Sequence, residues 1–208
     1  LLPILIAAAL PVRAAPAEKP NVVYILADDL GYGDVKALNP EGKIRTPCLD
    51  RMAAQGMSFT DAHSGSSVCT PTRYGVLTGR YSWRTRLQNG VLGGYSPPLV
   101  DPGRMTVASL LRKSGYATAC VGKWHLGHLA PFVPRQHGFD AFYGMMFPND
   151  MEPFVLHRDE TVIEPHPDQK TLTEQFTVET VKFVRAKRDR PFFLYLAYSA
   201  PHIPLHVS

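Results

Sequence analysis

Three uninterrupted apolar runs constrain this chain more than any other feature: "NVVYILADD" (21–29), "YATACVGKW" (116–124) and "PFFLYLAYS" (191–199). Each is short, lacks the polar alternation of a half-solvated strand and breaks off at polar residues. Such runs suit strands buried on both faces, which is the condition of strands in a parallel sheet covered by helices. The segments between them carry helical signals. "TPCLDRMAAQG" (46–56) begins with Thr-Pro and stops at Gly, and "TPTRYGVLTG" (70–79) has the same form, with Thr70 as the expected cap and Pro71 at the first helical position. "TVASLLRKSG" (106–115) is a third helix. The fourth, "TLTEQFTVETVKFVRAKR" (171–188), places Leu172, Phe176, Phe183 and Val184 on one apolar stripe. The polar, Pro-rich passage 128–170 offers short strand candidates such as "FVLH". Strands alternating with helices predict an α/β fold with a largely parallel central sheet sandwiched by helices.

No internal repeat, low-complexity tract or linker divides the chain, so residues 18–208 are expected to belong to one domain. The chain stops at "APHIPLHVS", directly after a strand, and the expectation is an N-terminal part of a domain left incomplete at its C-terminus. "LLPILIAAALPVRAAPA" (1–17) resembles the apolar core of a secretory signal ending in small residues. It is too short for a comfortable bilayer span, so export to a periplasm, a secretory or lysosomal route or the exterior is expected, without stable membrane insertion. The formal net charge is +4, but basic residues are scattered along the chain and give no nucleic-acid footprint. Three cysteines are too few for a disulfide framework. Cys48 and Cys120 have apolar neighbours and are expected to be buried; Cys69 lies in a polar, turn-rich stretch and needs another explanation.

In open α/β sheets ligands gather at the carboxyl ends of parallel strands. There this chain places Asp28 and Asp29 after the first run, Lys123 and His125 after the second and His202 after the third. Two adjacent carboxylates at a buried edge repel one another, and a hard divalent cation held by oxygen ligands would relieve that cost. The alternative is a solvent-exposed acidic turn. Lys123 and His125 alternate by two, so in an extended segment they face the same way. Cys69 and Arg73 lie one helical turn apart at a helix N-terminus, where a cation is penalised unless an anion binds beside it. The cysteine-to-arginine spacing of four is not the six of cysteine phosphatases, so a simple phosphate-cradling thiolate is rejected.

Cys69-Thr70-Pro71-Thr72-Arg73 with "LTGR" (77–80) resembles the signature of type I sulfatases, in the alkaline-phosphatase-like superfamily. Further matches, "NVVYILADDLGYGD" (21–34), "GKWHLG" (122–127), "HGFDAFYG" (137–144) and "APHIP" (200–204), follow in the family's order. Thr72 departs from the family's usual serine but keeps a hydroxyl. The resemblance implies that Cys69 is oxidised by a formylglycine-generating enzyme to formylglycine, whose hydrate is the nucleophile. It implies that Asp28, Asp29 and residue 69 bind Ca²⁺, with Mg²⁺ second, and that Arg73 supports that site. Lys123 and His202 are then the contacts to sulfate and leaving oxygen, and His125 takes a proton from the hydrate. Hydrolysis of aryl or carbohydrate sulfate monoesters is implied. The family's remaining metal ligands and a further lysine lie beyond the 208 residues, so the isolated chain is expected to be inactive, to bind Ca²⁺ poorly and to fold incompletely. Two other readings stay open: a phosphonate or phosphate ester hydrolase of the same superfamily, and a non-catalytic anion- or carbohydrate-binding protein that keeps its Cys69 thiol. "RTRLQNGVLGGYSPPLV" (84–100), with Arg84 and Arg86, is expected to line the pocket.

Overall fold

A computed structural model describes residues 19–93 and 96–206. The expected signal segment, residues 1–17, lies outside them. No described helix is long and apolar enough to cross a membrane. Among the described residues six strands form one sheet: β1 (Val22–Leu26), β2 (Ala117–Lys123), β3 (Ala141–Met145), β4 (Leu156–Arg158), β5 (Thr161–Glu164) and β6 (Phe192–Ala197), in the spatial order β1-β6-β2-β3-β4-β5. The first four of that order run parallel; β4 and β5 continue antiparallel. The sheet is thus mixed, with the parallel part where the apolar runs placed it.

Helices cover both faces. On one side α2 (Cys69–Thr78) and α3 (Val107–Lys113) pack Tyr74, Leu77 and Ala108 against Cys120, Phe193 and Tyr195 of the sheet. On the other, α4 (Leu172–Ala186) lays Leu172 and Phe176, with half-buried Phe183 and Val184, against Ala119, Leu194 and Leu196. This is the stripe expected from the spacing of those residues. α3 is capped by Thr106: its hydroxyl accepts from the Ser109 amide, and the Ser109 hydroxyl accepts from the Thr106 amide. A fourth helix, α1 (Pro47–Gln55), buries no residue.

Several expectations need correction. The helix containing Arg73 starts two residues early, at Cys69, with Val68 as its cap. Thr70 does not cap it; its buried hydroxyl accepts from the Leu92 amide and ties a distant loop to the helix. Cys48 is exposed, since α1 lies on the surface, whereas Cys120 is fully buried as expected. β1 is an edge strand whose central residues are exposed, unlike β2 and β6. β3 lies within the passage that promised only short strand candidates, because its "AFYGM" is interrupted by glycine. That glycine has a reason. A side chain at Gly144, or at its sheet neighbour Gly122, would collide with the backbone of the adjacent strand, so the sheet closes tightly just before Lys123.

Candidate active site

β1, β2 and β6 release their chains on the same end of the sheet, and α2 begins there. A cavity of about 260 Å³ opens at this end, lined by Asp28, Asp29, Ser64, Ser66, Cys69 and Arg73 among others. The loop after β1 and the start of α2, forty residues apart, therefore meet as the motifs require.

Asp28 is the electrostatic hub. One carboxylate oxygen lies 3.1 Å from Arg73 Nη2 and the other is bonded by Lys123 Nζ. All three side chains are buried, Arg73 and Lys123 completely. Burial alone would raise the Asp28 pKa, yet the charges of Arg73 and Lys123 hold the carboxyl below the usual range. Burial and the neighbouring Arg73 lower Lys123, against the pull of Asp28. Burial would likewise lower Arg73, but Tyr195 and Asp28 hold it protonated above the ordinary guanidinium value. Arg73 Nη1 also donates to the Lys123 carbonyl at 2.5 Å, while Nε and Nη2 have no aligned hydrogen-bond acceptor among the described residues.

This arrangement corrects the argument from carboxylate repulsion. Asp29, one residue on, has a left-handed backbone (φ 64°) and a half-exposed side chain whose Oδ2 lies 3.8 Å from His202 Nε2. The pair is relieved by two cations. The cation at the helix N-terminus is likewise compensated by Asp28.

Lys123 lies close enough for its charge to act on the His125 imidazole, but strand alternation does not set the arrangement: β2 ends at Lys123 and His125 has φ 57°. The His125 ring is buried and its Nε2 lies 2.7 Å from the Leu92 carbonyl. A carbonyl can only accept, so the proton sits on Nε2, and Nδ1 is a bare, buried acceptor without a partner among the described residues. Burial and the Lys123 charge push the imidazole pKa down to about 3, far from the near-neutral value expected of an unperturbed ring. His202 is placed by the loop after β6, with Nε2 3.8 Å from Asp29 Oδ2 and Nδ1 on the Ile203 carbonyl at 2.5 Å. By the same reasoning Nδ1 carries a proton and Nε2 faces the acidic loop.

The segment 84–100 reaches the site differently from expectation. Leu92 touches it through backbone atoms, accepting from His125 and donating to Thr70. Arg86 donates to the carbonyls of Pro97 and Pro98, and Arg84 lies over the Trp83 ring. The Leu92 carbonyl was missed because a main-chain contact leaves no mark in residue type.

Do these residues suit a hard cation? Asp28, Asp29 and an oxygen at position 69 would be oxygen donors on one cavity, the donor chemistry Ca²⁺ requires. Arg73 and Lys123 both pair with Asp28, which leaves Asp29 without a lysine or arginine partner among the described residues. The residues thus fit one side of a cation site. Among the described residues no three His, Cys, Asp or Glu side chains form a metal-holding group.

Similarity to known proteins bears on what such a site is for. The chain is 35% identical to mouse N-acetylgalactosamine-6-sulfatase over 99% of its own length and 44% of that protein's. It is 33% identical to mouse arylsulfatase G, covering 92% of this chain and 43% of the relative. The chain therefore spans less than half the length of the curated relatives it matches. A solved structure from glycosaminoglycan metabolism in Bacteroides thetaiotaomicron superposes with TM-score 0.83 at 28% identity, covering 90% of this chain and 52% of the other. The Sulfatase family model matches residues 20–208, nearly every residue from β1 to the loop carrying His202, and the chain belongs to the sulfatase family.

Proposed function

We propose that this chain is the N-terminal part of a sulfatase catalytic domain, exported from the cytoplasm, that hydrolyses aryl or carbohydrate sulfate monoesters with a formylglycine made from Cys69. One observation carries the reading: in a chain of this family, Cys69, Asp28, Asp29 and Arg73 line one cavity, and Lys123 is locked onto Asp28. Position 69, matured by a formylglycine-generating enzyme, would supply a hydrated aldehyde oxygen as nucleophile, and Ca²⁺ on Asp28 and Asp29 the positive charge that polarises the sulfate.

The chain's own groups divide the remaining work. Arg73, fully buried and ion-paired, fixes the Asp28 carboxylate and keeps a guanidinium next to residue 69, one helical turn away. Lys123 holds the other Asp28 oxygen and adds charge beside the anion. His125, neutral with Nδ1 bare, is an acceptor for a hydroxyl proton at position 69. His202 presents Nε2 towards the cavity side occupied by Asp29; protonated there, it donates to the leaving oxygen, and Asp29 supports its charge.

The test is made on the mature protein as its gene encodes it. Mass spectrometry of the peptide spanning residues 67–73 should show sulfur lost and an aldehyde gained, and 4-nitrophenyl sulfate should be turned over in preference to phenyl phosphonate esters. Full activity with the Cys69 thiol intact would overturn the mechanism; preference for the phosphonate would overturn the substrate class.

A further inference from the structure

We infer that Asn149 is a positioning residue for His202: its side-chain amide clamps the loop that carries the imidazole. The inference rests on the leaving-group role proposed above for His202.

The loop leaves β6 without a helix to stiffen it. Its first part is fixed to β1 and the acidic turn, since the Tyr198 amide donates to the Leu26 carbonyl (2.9 Å) and the Asp28 amide to the Ala200 carbonyl (3.1 Å). A turn bond from the His202 amide to the Ser199 carbonyl (3.1 Å) follows. Beyond the imidazole, Pro204 has no amide hydrogen to donate, and the chain needs another restraint. Asn149 supplies it. Its Nδ2 donates to the Pro204 carbonyl at 3.2 Å and to Gln169 Oε1 at 3.0 Å, and Gln169 Nε2 returns a bond to the Asn149 carbonyl at 3.1 Å.

The orientation of both amides is determined, because the Pro204 and Asn149 carbonyls can only accept. Asn149 is only 8% exposed, so the clamp is protected from water competing for its hydrogen bonds. It links three places distant in sequence: the turn after β3, the residues leading into α4 and the loop after β6. His202 stands between two cavities, facing Asp29 of the first and lining a second of about 230 Å³ together with Asn149, Gln169 and Ser199. With open space on both sides, the ring depends on the backbone at either end of its turn for its place.

Positioning of an acid matters most when the leaving oxygen is a poor one. The experiment measures kcat/KM of the mature protein for a series of sulfate esters, from 4-nitrophenyl sulfate to phenyl and alkyl sulfates. Asn149→Ala should lose about tenfold on the poor leaving groups and less than about twofold on 4-nitrophenyl sulfate, steepening the dependence on leaving-group pKa. Gln169→Leu, which removes the buttress and leaves Asn149 in place, should steepen it less and serves if Asn149→Ala does not fold. In a His202→Ala background, Asn149→Ala should add no further steepening, because the group it positions is gone. Equal losses across the series, or steepening that persists without His202, would overturn the inference while leaving the sulfatase reading intact. No hydrolysis of any sulfate ester by the wild type would overturn both.

Discussion

β1 and β6 are hydrogen-bonded neighbours of similar apolar composition, yet they occupy different environments. In register, Leu194 of β6 is fully buried while its partner Val23 is 47% exposed, and Tyr195 is fully buried while Tyr24 is 41% exposed. Partners across a sheet point to the same side, so α4 and α2 cover β6 on both faces and stop short of β1. A sequence run thus reports the burial a strand is built for, and the neighbours decide whether it receives it. The edge strand nonetheless delivers Asp28, whose carboxylate meets two completely buried cations. The least covered strand of the parallel part thus leads directly into a buried carboxylate.

The sharpest way to break that comparison is at the two adjacent acids. Asp28→Asn leaves Arg73 and Lys123 buried with no counter-charge and should cost about 3–5 kcal/mol in chemical denaturation with chelator present. Asp29→Asn under the same conditions should cost less than about 0.5 kcal/mol, since its carboxylate is half-exposed and has only a 3.8 Å contact with His202. Similar costs for the two would mean that the Asp28 hub does not govern stability. Next in size is the pair in register. Leu194→Ala should cost about 2–5 kcal/mol by transfer and cavity formation, whereas Val23→Ala should cost less than about 1 kcal/mol. Equal costs would show that something beyond the described residues covers β1.

How much of this was legible beforehand depends on the kind of contact. The strands β2 and β6 and the stripe on α4 follow from local pattern, and the structure places them where that pattern puts them. The gathering of Asp28, Asp29, Cys69 and Arg73 at one cavity follows from their places at strand and helix ends. Exposure along β1 was illegible because it depends on what packs across the sheet. β3 was hidden by Gly144, a residue that argues against a strand locally and is required by the close approach of Gly122. The Leu92 carbonyl on His125 and the Asn149 clamp were invisible for a third reason: each joins residues more than thirty positions apart through a backbone atom.

The last predicted effect concerns a histidine outside the site. His137 is buried, stacked on Trp124 at 5.8 Å between ring centroids, with Nε2 lacking a partner among the described residues. Burial lowers its pKa from the ordinary value of 6.5 to about 4. The folded state therefore favours the neutral ring, and protons bind the unfolded chain more readily. Stability from this group is complete above pH 6.5 and is lost as the pH falls towards 4. Linkage then gives a loss of about 1 kcal/mol between about pH 7 and pH 5.5 from this ring alone. Denaturation midpoints of wild type and His137→Phe should diverge over that interval, with the variant falling less steeply; His125, lowered by burial and Lys123 in the same direction, keeps a residual slope in both. Parallel profiles would show that His137 finds a partner for its proton within the fold, and that its burial against Trp124 carries no electrostatic cost.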